Sequence, residues 1–345
     1  MTYQIIISNN VDSLTAVNPT HTVEAEFGKY CANGSETTLA HHGPRSSNPV
    51  PCLGNNIPSK TEKLIIGVSH FDLDCLGGIM RCLGKKKTSL EVGKEEDLFW
   101  QVAAQVDLRG VHKLGEIRDE LLHESQRGGS LSPSGSENAW YHSKALWNQT
   151  ESKLNAFWAW QESHEVFPPR LVKPEEQEFT LGLIYGVESM VDPNVSDVTS
   201  FFDEAIRIVS VILGSNLDTE HTVLLHRGQE WAEATKLLEE ESFHGTFGKD
   251  HVFLRASDQF TNHLYIHGNT MAKAVVAFRN DNETVTLSLA DPIEGVSCEQ
   301  VAQALWGPEA GGRDVIAGSP RGQKMTMEAA DMAAHKLSLA IRDLE

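Results

Sequence analysis

Cysteine is scarce in this sequence. The five residues Cys31, Cys52, Cys75, Cys82 and Cys298 form neither the paired spacing of a zinc ribbon nor the dense, even framework of a small secreted domain. Reduced thiols are the simpler expectation. Long apolar runs are missing as well: no stretch reaches the roughly 18 residues that a membrane-spanning helix needs. The opening MTYQIIISNN has no basic region followed by an apolar core of the signal-peptide kind. A soluble, cytoplasmic protein that does not engage a membrane is expected. Basic residues are outnumbered, 29 against 48 acidic ones, for a net charge of −19. A field of that sign repels a polyanion, which excludes long nucleic acid as a partner. Internal repeats of fixed period are also absent, and with them solenoid and propeller folds.

What is present is an ordinary globular composition, 40% hydrophobic and 22% charged over 345 residues, long enough for two cores. Gly128 to Asn138 (GGSLSPSGSEN) and Phe167 to Pro174 (FPPRLVKP) have the glycine, serine and proline content of connectors. Lys63 to Ser69 (KLIIGVS) is a short apolar run of the buried parallel-strand type, and Leu76 to Leu83 can continue as a helix. Phe201 to Leu213 carries apolar residues at helical spacing, and Gln229 to Glu241 is acidic and helical in composition. Lys273 to Arg279 and Glu283 to Leu289 flank the turn signal Asn280-Asp281-Asn282 and read as a β-hairpin. The expected fold class is α/β.

The most informative segment is SHFDLDCLGG, Ser69 to Gly78, where His70, Asp72 and Asp74 alternate just after an apolar strand. Side chains at the carboxyl end of a parallel strand point into the crevice where open α/β sheets bind ligands. Mixed imidazole and carboxylate groups suit manganese, iron or zinc, and shared carboxylates suit a two-metal centre. The competing reading is a polar loop whose aspartates cap the next helix. In VAAQVDLRGVHKL, Val102 to Leu114, Asp107 ends what reads as another apolar strand, and it is either a ligand or a residue making its own turn. In TTLAHHGP, Thr37 to Pro44, His41 and His42 are adjacent at the end of a β-prone run. They point to opposite faces unless the backbone turns, as Gly43-Pro44 allows; an exposed histidine pair is the other reading.

The HxDxD pattern of His70, Asp72 and Asp74, after a strand and before small residues and a helix, resembles the first motif of the DHH phosphoesterases, which include exonucleases, oligoribonucleases and manganese pyrophosphatases. Glu309 to Gly322 (EAGGRDVIAGSPRG) is similar to the glycine-rich signature of the DHH-associated C-terminal domain. The hairpin before it and a helix at Val301 to Leu305 stand where that domain has a strand and a helix. The resemblance covers 63 to 115 and 270 to 345. It implies a parallel-sheet metal-binding catalytic domain over 1–195, a helical linker over 196–240 and a smaller α/β substrate-binding domain over 241–345.

Carried over by position, His70 and Asp72 would ligate one ion, Asp74 the other, and Asp107 would be the bridging carboxylate. The ion would be manganese, with magnesium, iron or zinc as alternatives. Gly311 and Gly312 would let the substrate approach the backbone, and Ser319, Arg313 and Arg321 would hold its anionic group. The family's Asp-His-His motif is missing after Asp107. Its nearest match is Ala40-His41-His42, in which His41 would be a ligand and His42 the phosphate-facing acid; His142 is the alternative in the usual order. Cys75 replaces a usual glycine. The implied activity is hydrolysis of a small phosphodiester, phosphomonoester or phosphoanhydride by water activated at two metals. The implied partner is a small anionic, phosphorylated substrate, and a homodimer is compatible with the sequence. A degenerate module that binds a nucleotide or phosphorylated metabolite is the alternative. A metallo-β-lactamase-like hydrolase is a weaker one, because Asp72 and Cys75 stand where that motif requires histidines.

Overall fold

The computed structural model describes residues 2–8, 10–27, 30–32, 36–41, 45, 47–57, 61–69, 71–87, 94–126, 139–163, 195–214, 219–249, 251–320 and 323–342. His42, His70, Arg321 and both segments read as connectors lie outside the described residues. The chain is mixed α/β and divides into two compact units: Met1–Asp107 with Ile117–Trp231, and Leu108–Glu116 with Ala232–Glu345.

The first unit is built on strands β1 (Thr2–Ile7), β2 (His21–Val23), β5 (Thr37–Leu39), β6 (Lys63–Val68) and β7 (Ser196–Asp197), in the order β5-β2-β6-β1-β7; β3 (Glu26–Phe27) and β4 (Tyr30–Cys31) form a small separate pair. β5, β2, β6 and β1 run parallel, and β7 closes the edge antiparallel. Leu39, Val23 and Val68 are in register at one end of their strands, so the residues that follow them emerge together. Helix α1 (Val11–Ala16) places Leu14 in a core with Ile6, Ala25 and Ala32.

Helix α2 (Leu73–Cys82) begins at Asp72, whose side chain accepts from the Cys75 amide. It starts earlier than the apolar pattern alone suggests because this cap satisfies an otherwise unpaired helix N–H. Its two glycines are packing residues. A Cβ on Gly77 would stand 2.4 Å from Cys52 Cβ and 2.7 Å from the Trp100 ring, and one on Gly78 would stand 2.6 Å from Val23 Cγ1. Gly77→Ala should therefore destabilise the protein by about 1–3 kcal/mol through overpacking. Gly115→Ala, at a helical site with nothing within 4 Å, should not destabilise it. Urea denaturation of the two variants checks the pair, and equal stability would contradict this packing.

Three sequence expectations are corrected here. Val102–Val106 is not a strand: it belongs to helix α3 (Lys94–Arg109), in which Leu98, Phe99, Val102 and Ala103 are buried at helical spacing. The alanine, glutamine and glutamate content favours the helix over the two valines' strand preference. Helix α6 (Thr199–Leu213) is not a linker but core of the first unit, with Phe202, Ala205, Ile206, Val209 and Ile212 buried and the Thr199 hydroxyl accepting from the Ile5 amide at 2.8 Å. Helices α4 (Leu114–Gln126) and α5 (Ala139–Ser163) precede it, and α7 (Thr219–Glu241) follows, with the division between units inside α7. Leu108–Glu116 belongs to the second unit rather than the first. There Lys113 pairs with Asp291 at 2.8 Å, and a His112 ring nitrogen lies 2.9 Å from the Ala290 carbonyl.

The second unit has a six-stranded sheet in the order β14-β15-β13-β12-β9-β8: β8 (Phe243–Phe247), β9 (Val252–Ser257), β12 (Ala274–Arg279), β13 (Thr284–Leu289), β14 (Gly311–Arg313) and β15 (Ile316–Gly318). β10 (Ile266–His267) and β11 (Thr270–Met271) pair separately. Every residue of β12 is buried. Ala274, Val276 and Phe278 join a core with helices α8 (Cys298–Trp306) and α9 (Met327–Arg342), and Val275 and Ala277 pack on the other face. Alternation on a sheet covered on both sides explains that continuous apolar run. Among the described residues, no helix is long and apolar enough to cross a membrane.

Candidate metal centre

The carboxyl ends of three adjacent parallel strands supply the side chains. Glu24 directly follows β2, His41 stands two residues after β5, and Asp72 and Asp74 lie in the loop and first helical turn after β6. Just before them, Phe71 anchors the loop: it is 1% exposed, with its ring centroid 4.8 Å from Phe201 and 5.3 Å from Phe202. Asp107 arrives from the last turns of α3. Glu24 adopts a left-handed backbone (φ 46°). Its amide donates to the Leu39 carbonyl at 2.8 Å, and its carbonyl accepts from the Ser69 hydroxyl. These bonds hold a conformation that a non-glycine residue seldom adopts.

His41 Nε2 lies 3.0 Å from Asp107 Oδ2 and 3.9 Å from both Asp74 Oδ2 and Glu24 Oε1. Glu24, His41 and Asp74 offer ligand atoms all within 4.8 Å of one another, and so do Asp72, Asp74 and Asp107. Either group could hold a metal ion. Glu24, His41 and Asp74 are buried, at 1%, 3% and 2% exposure. The Asp74 Oδ2 atom has no hydrogen-bond partner among the described residues. Burial, then the carboxylates of Asp72, Asp107 and Glu24, push the Asp74 carboxyl well above the usual carboxylate range.

The charge balance separates two explanations. A protonated His41 brings one positive charge to a group that can carry four negative ones, so it cannot by itself offset them. Uncompensated charge in a water-poor site costs several kcal/mol per ion. A divalent cation beside mixed imidazole and carboxylate donors halves the deficit, and the donor set fits such an ion.

Of the residues singled out from the sequence, Asp72, Asp74, Asp107 and His41 come together here. Asp72 combines both readings of its segment, capping α2 and facing the cluster. His42 and His70 are outside the described residues; His142 lies on α5, and its side chain is also outside the description. Glu24 was missed. Its only signal is a carboxylate directly after the three-residue run His21–Val23.

The glycine-rich segment forms the β14-β15 hairpin. A Cβ at Gly312 would lie 2.3 Å from the Ile316 carbonyl oxygen, so the close approach at this glycine is made by the opposing strand. Ser319 is tied to β13: its amide donates to the Val285 carbonyl at 2.9 Å, and its hydroxyl accepts from the Val285 amide at 3.1 Å. Gly311 has only a Glu299 carboxylate oxygen within 4 Å of a notional Cβ, and Arg313 is exposed.

No family model and no curated protein matches this chain. Among solved structures, an uncharacterized protein from Helicobacter pylori G27 aligns over 98% of this chain and 99% of its own at 12% identity, with a TM-score of 0.21. Likeness that low carries no argument. The functional reading therefore rests on the residues themselves.

Proposed function

We propose that this chain is a metal-dependent phosphohydrolase of DHH-like organisation, cytoplasmic, acting on a small phosphodiester, phosphomonoester or phosphoanhydride. The observation that carries the reading is the convergence of Asp72, Asp74, Asp107 and His41 around a buried carboxylate oxygen that has no hydrogen bond among the described residues. These four side chains would hold the metal, manganese being the first expectation, with His70 as a further ligand. When bound, divalent ions polarise a phosphoryl oxygen and lower the pKa of water, so no side-chain nucleophile is required. Asp107 Oδ2 and His41 Nε2 stand 3.0 Å apart, so both would face the metal as direct ligands. His42 is the proposed phosphate-facing acid.

Small phosphodiesters, dinucleotides, phosphomonoesters and pyrophosphate assayed with manganese test the activity. Turnover of one class that stops on chelation is expected. Complete inertness across the panel would replace this reading with a binding module, a reading that the missing Asp-His-His triplet after Asp107 favours.

Arg313, the exposed cation of the glycine-rich hairpin, is proposed to hold the substrate's anionic end, which in so acidic a chain needs a local positive charge. A contact made equally in ground and transition states changes binding more than chemistry. Arg313→Ala should therefore raise KM about tenfold, the equivalent of roughly 1.4 kcal/mol, with metal content unchanged. Steady-state kinetics with elemental analysis checks this; loss of metal at unaltered KM would contradict it.

A further inference from the structure

We infer that Glu24 is a ligand of the second of the two divalent ions that the family resemblance implies, and that Asp74 rather than Asp107 is the carboxylate the two ions share. This rests on the reading that the cluster binds metal. The two candidate ligand groups, Asp72-Asp74-Asp107 and Glu24-His41-Asp74, overlap in Asp74 alone. Asp107, the bridging carboxylate implied by the family resemblance, is absent from the second group.

Side-chain chemistry assigns the same roles. Asp74 is buried with its Oδ2 free of hydrogen bonds among the described residues, and a carboxylate with two oxygens can serve two ions. Asp72 has Oδ1 engaged by the Cys75 amide at 3.0 Å and belongs to the first group alone. Glu24 is 1% exposed, with its backbone fixed at both the amide and the carbonyl. It is thus delivered to the centre as rigidly as the strand ends beside it.

Charge arithmetic agrees. Glu24, Asp72, Asp74 and Asp107 carry four negative charges when ionised, and a neutral His41 carries none. One divalent ion leaves a net charge of −2 in a largely buried site, whereas two leave none. Residual charge in a low-dielectric site is strongly disfavoured, so the fourth carboxylate argues for the second ion.

The test needs no substrate. Metal-free wild type, Glu24→Gln and Asp107→Asn are equilibrated with manganese chloride, dialysed and analysed for bound manganese, with electron paramagnetic resonance on the same samples. The wild type should bind two ions with an exchange-coupled spectrum. Each variant should bind one, with the spectrum of isolated manganese. Should Glu24→Gln fail to fold by circular dichroism, Glu24→Asp, whose carboxylate is withdrawn by one methylene, should weaken one of two binding steps at least tenfold. Two ions retained in Glu24→Gln, undiminished binding in Glu24→Asp, or a single ion in the wild type would overturn the inference. Two ions in the wild type with no hydrolysis of any substrate would sink the phosphohydrolase reading alone. No manganese in the wild type would sink the inference and the metal-dependent reading together.

Discussion

Asp74→Asn should abolish turnover, lowering kcat on the order of 10³-fold or more in whichever phosphoester assay the wild type supports. Asp74 is the one residue common to both candidate ligand groups and is 2% exposed, so water cannot readily replace the lost charge. Asparagine keeps the shape and can still accept a hydrogen bond, which makes the substitution a test of charge rather than packing. Circular dichroism should be unchanged. A variant that keeps more than about a tenth of wild-type kcat, a deficit of under about 1.4 kcal/mol, would show that Asp74 lies outside the machinery.

Manganese should raise the unfolding temperature of the metal-free protein substantially. A ligand that binds only the folded state stabilises it by about 4 kcal/mol per site at 1,000 times its Kd. At about 2–4 °C per kcal/mol for a unit of this size, one site corresponds to roughly 8–16 °C. The converse follows for Asp74→Asn. It relieves repulsion among Asp72, Asp107, Glu24 and residue 74 when no metal is present, so its metal-free form should melt above metal-free wild type, by about 1–3 kcal/mol, and should not respond to manganese. Thermal melts with and without chelator measure all four conditions. A wild type indifferent to manganese, or a metal-free Asp74→Asn that melts well below metal-free wild type, would contradict this electrostatic account.

How far the sequence could be read depended on the range of the interactions involved. The β6-loop-α2 unit was legible because a short apolar run, a capping aspartate and a helix follow one another within 20 residues. The β12-β13 hairpin was legible for the same reason, its turn residues lying between two β-branched runs. Asp107 stands out for its chemistry, but its surroundings read as the end of a strand, because two valines beside alanines fit either period until Leu98 and Phe99 are included.

Glu24 could not be found by that route. β2 and β5 are three residues each, too short to show a period, and they acquire their place only by pairing, β2 with β6 some 45 residues away and β5 with β2. The same pairing turns His41 from half of an ambiguous histidine doublet into a buried group facing Asp107, Asp74 and Glu24. In the C-terminal signature, Gly312 and Ser319 looked like substrate contacts because glycine and serine serve both turns and ligands. Only the cross-strand geometry with Ile316 and Val285 shows what the fold already asks of them.

Calorimetric titration of manganese into metal-free wild type and metal-free Asp74→Asn tests most directly whether this cluster is a metal centre. The account predicts saturable binding by the wild type at micromolar Kd or tighter, about −8 kcal/mol or more favourable, and no comparable binding by a folded Asp74→Asn. Heat of dilution alone from the wild type, or equal binding by both proteins, would contradict it.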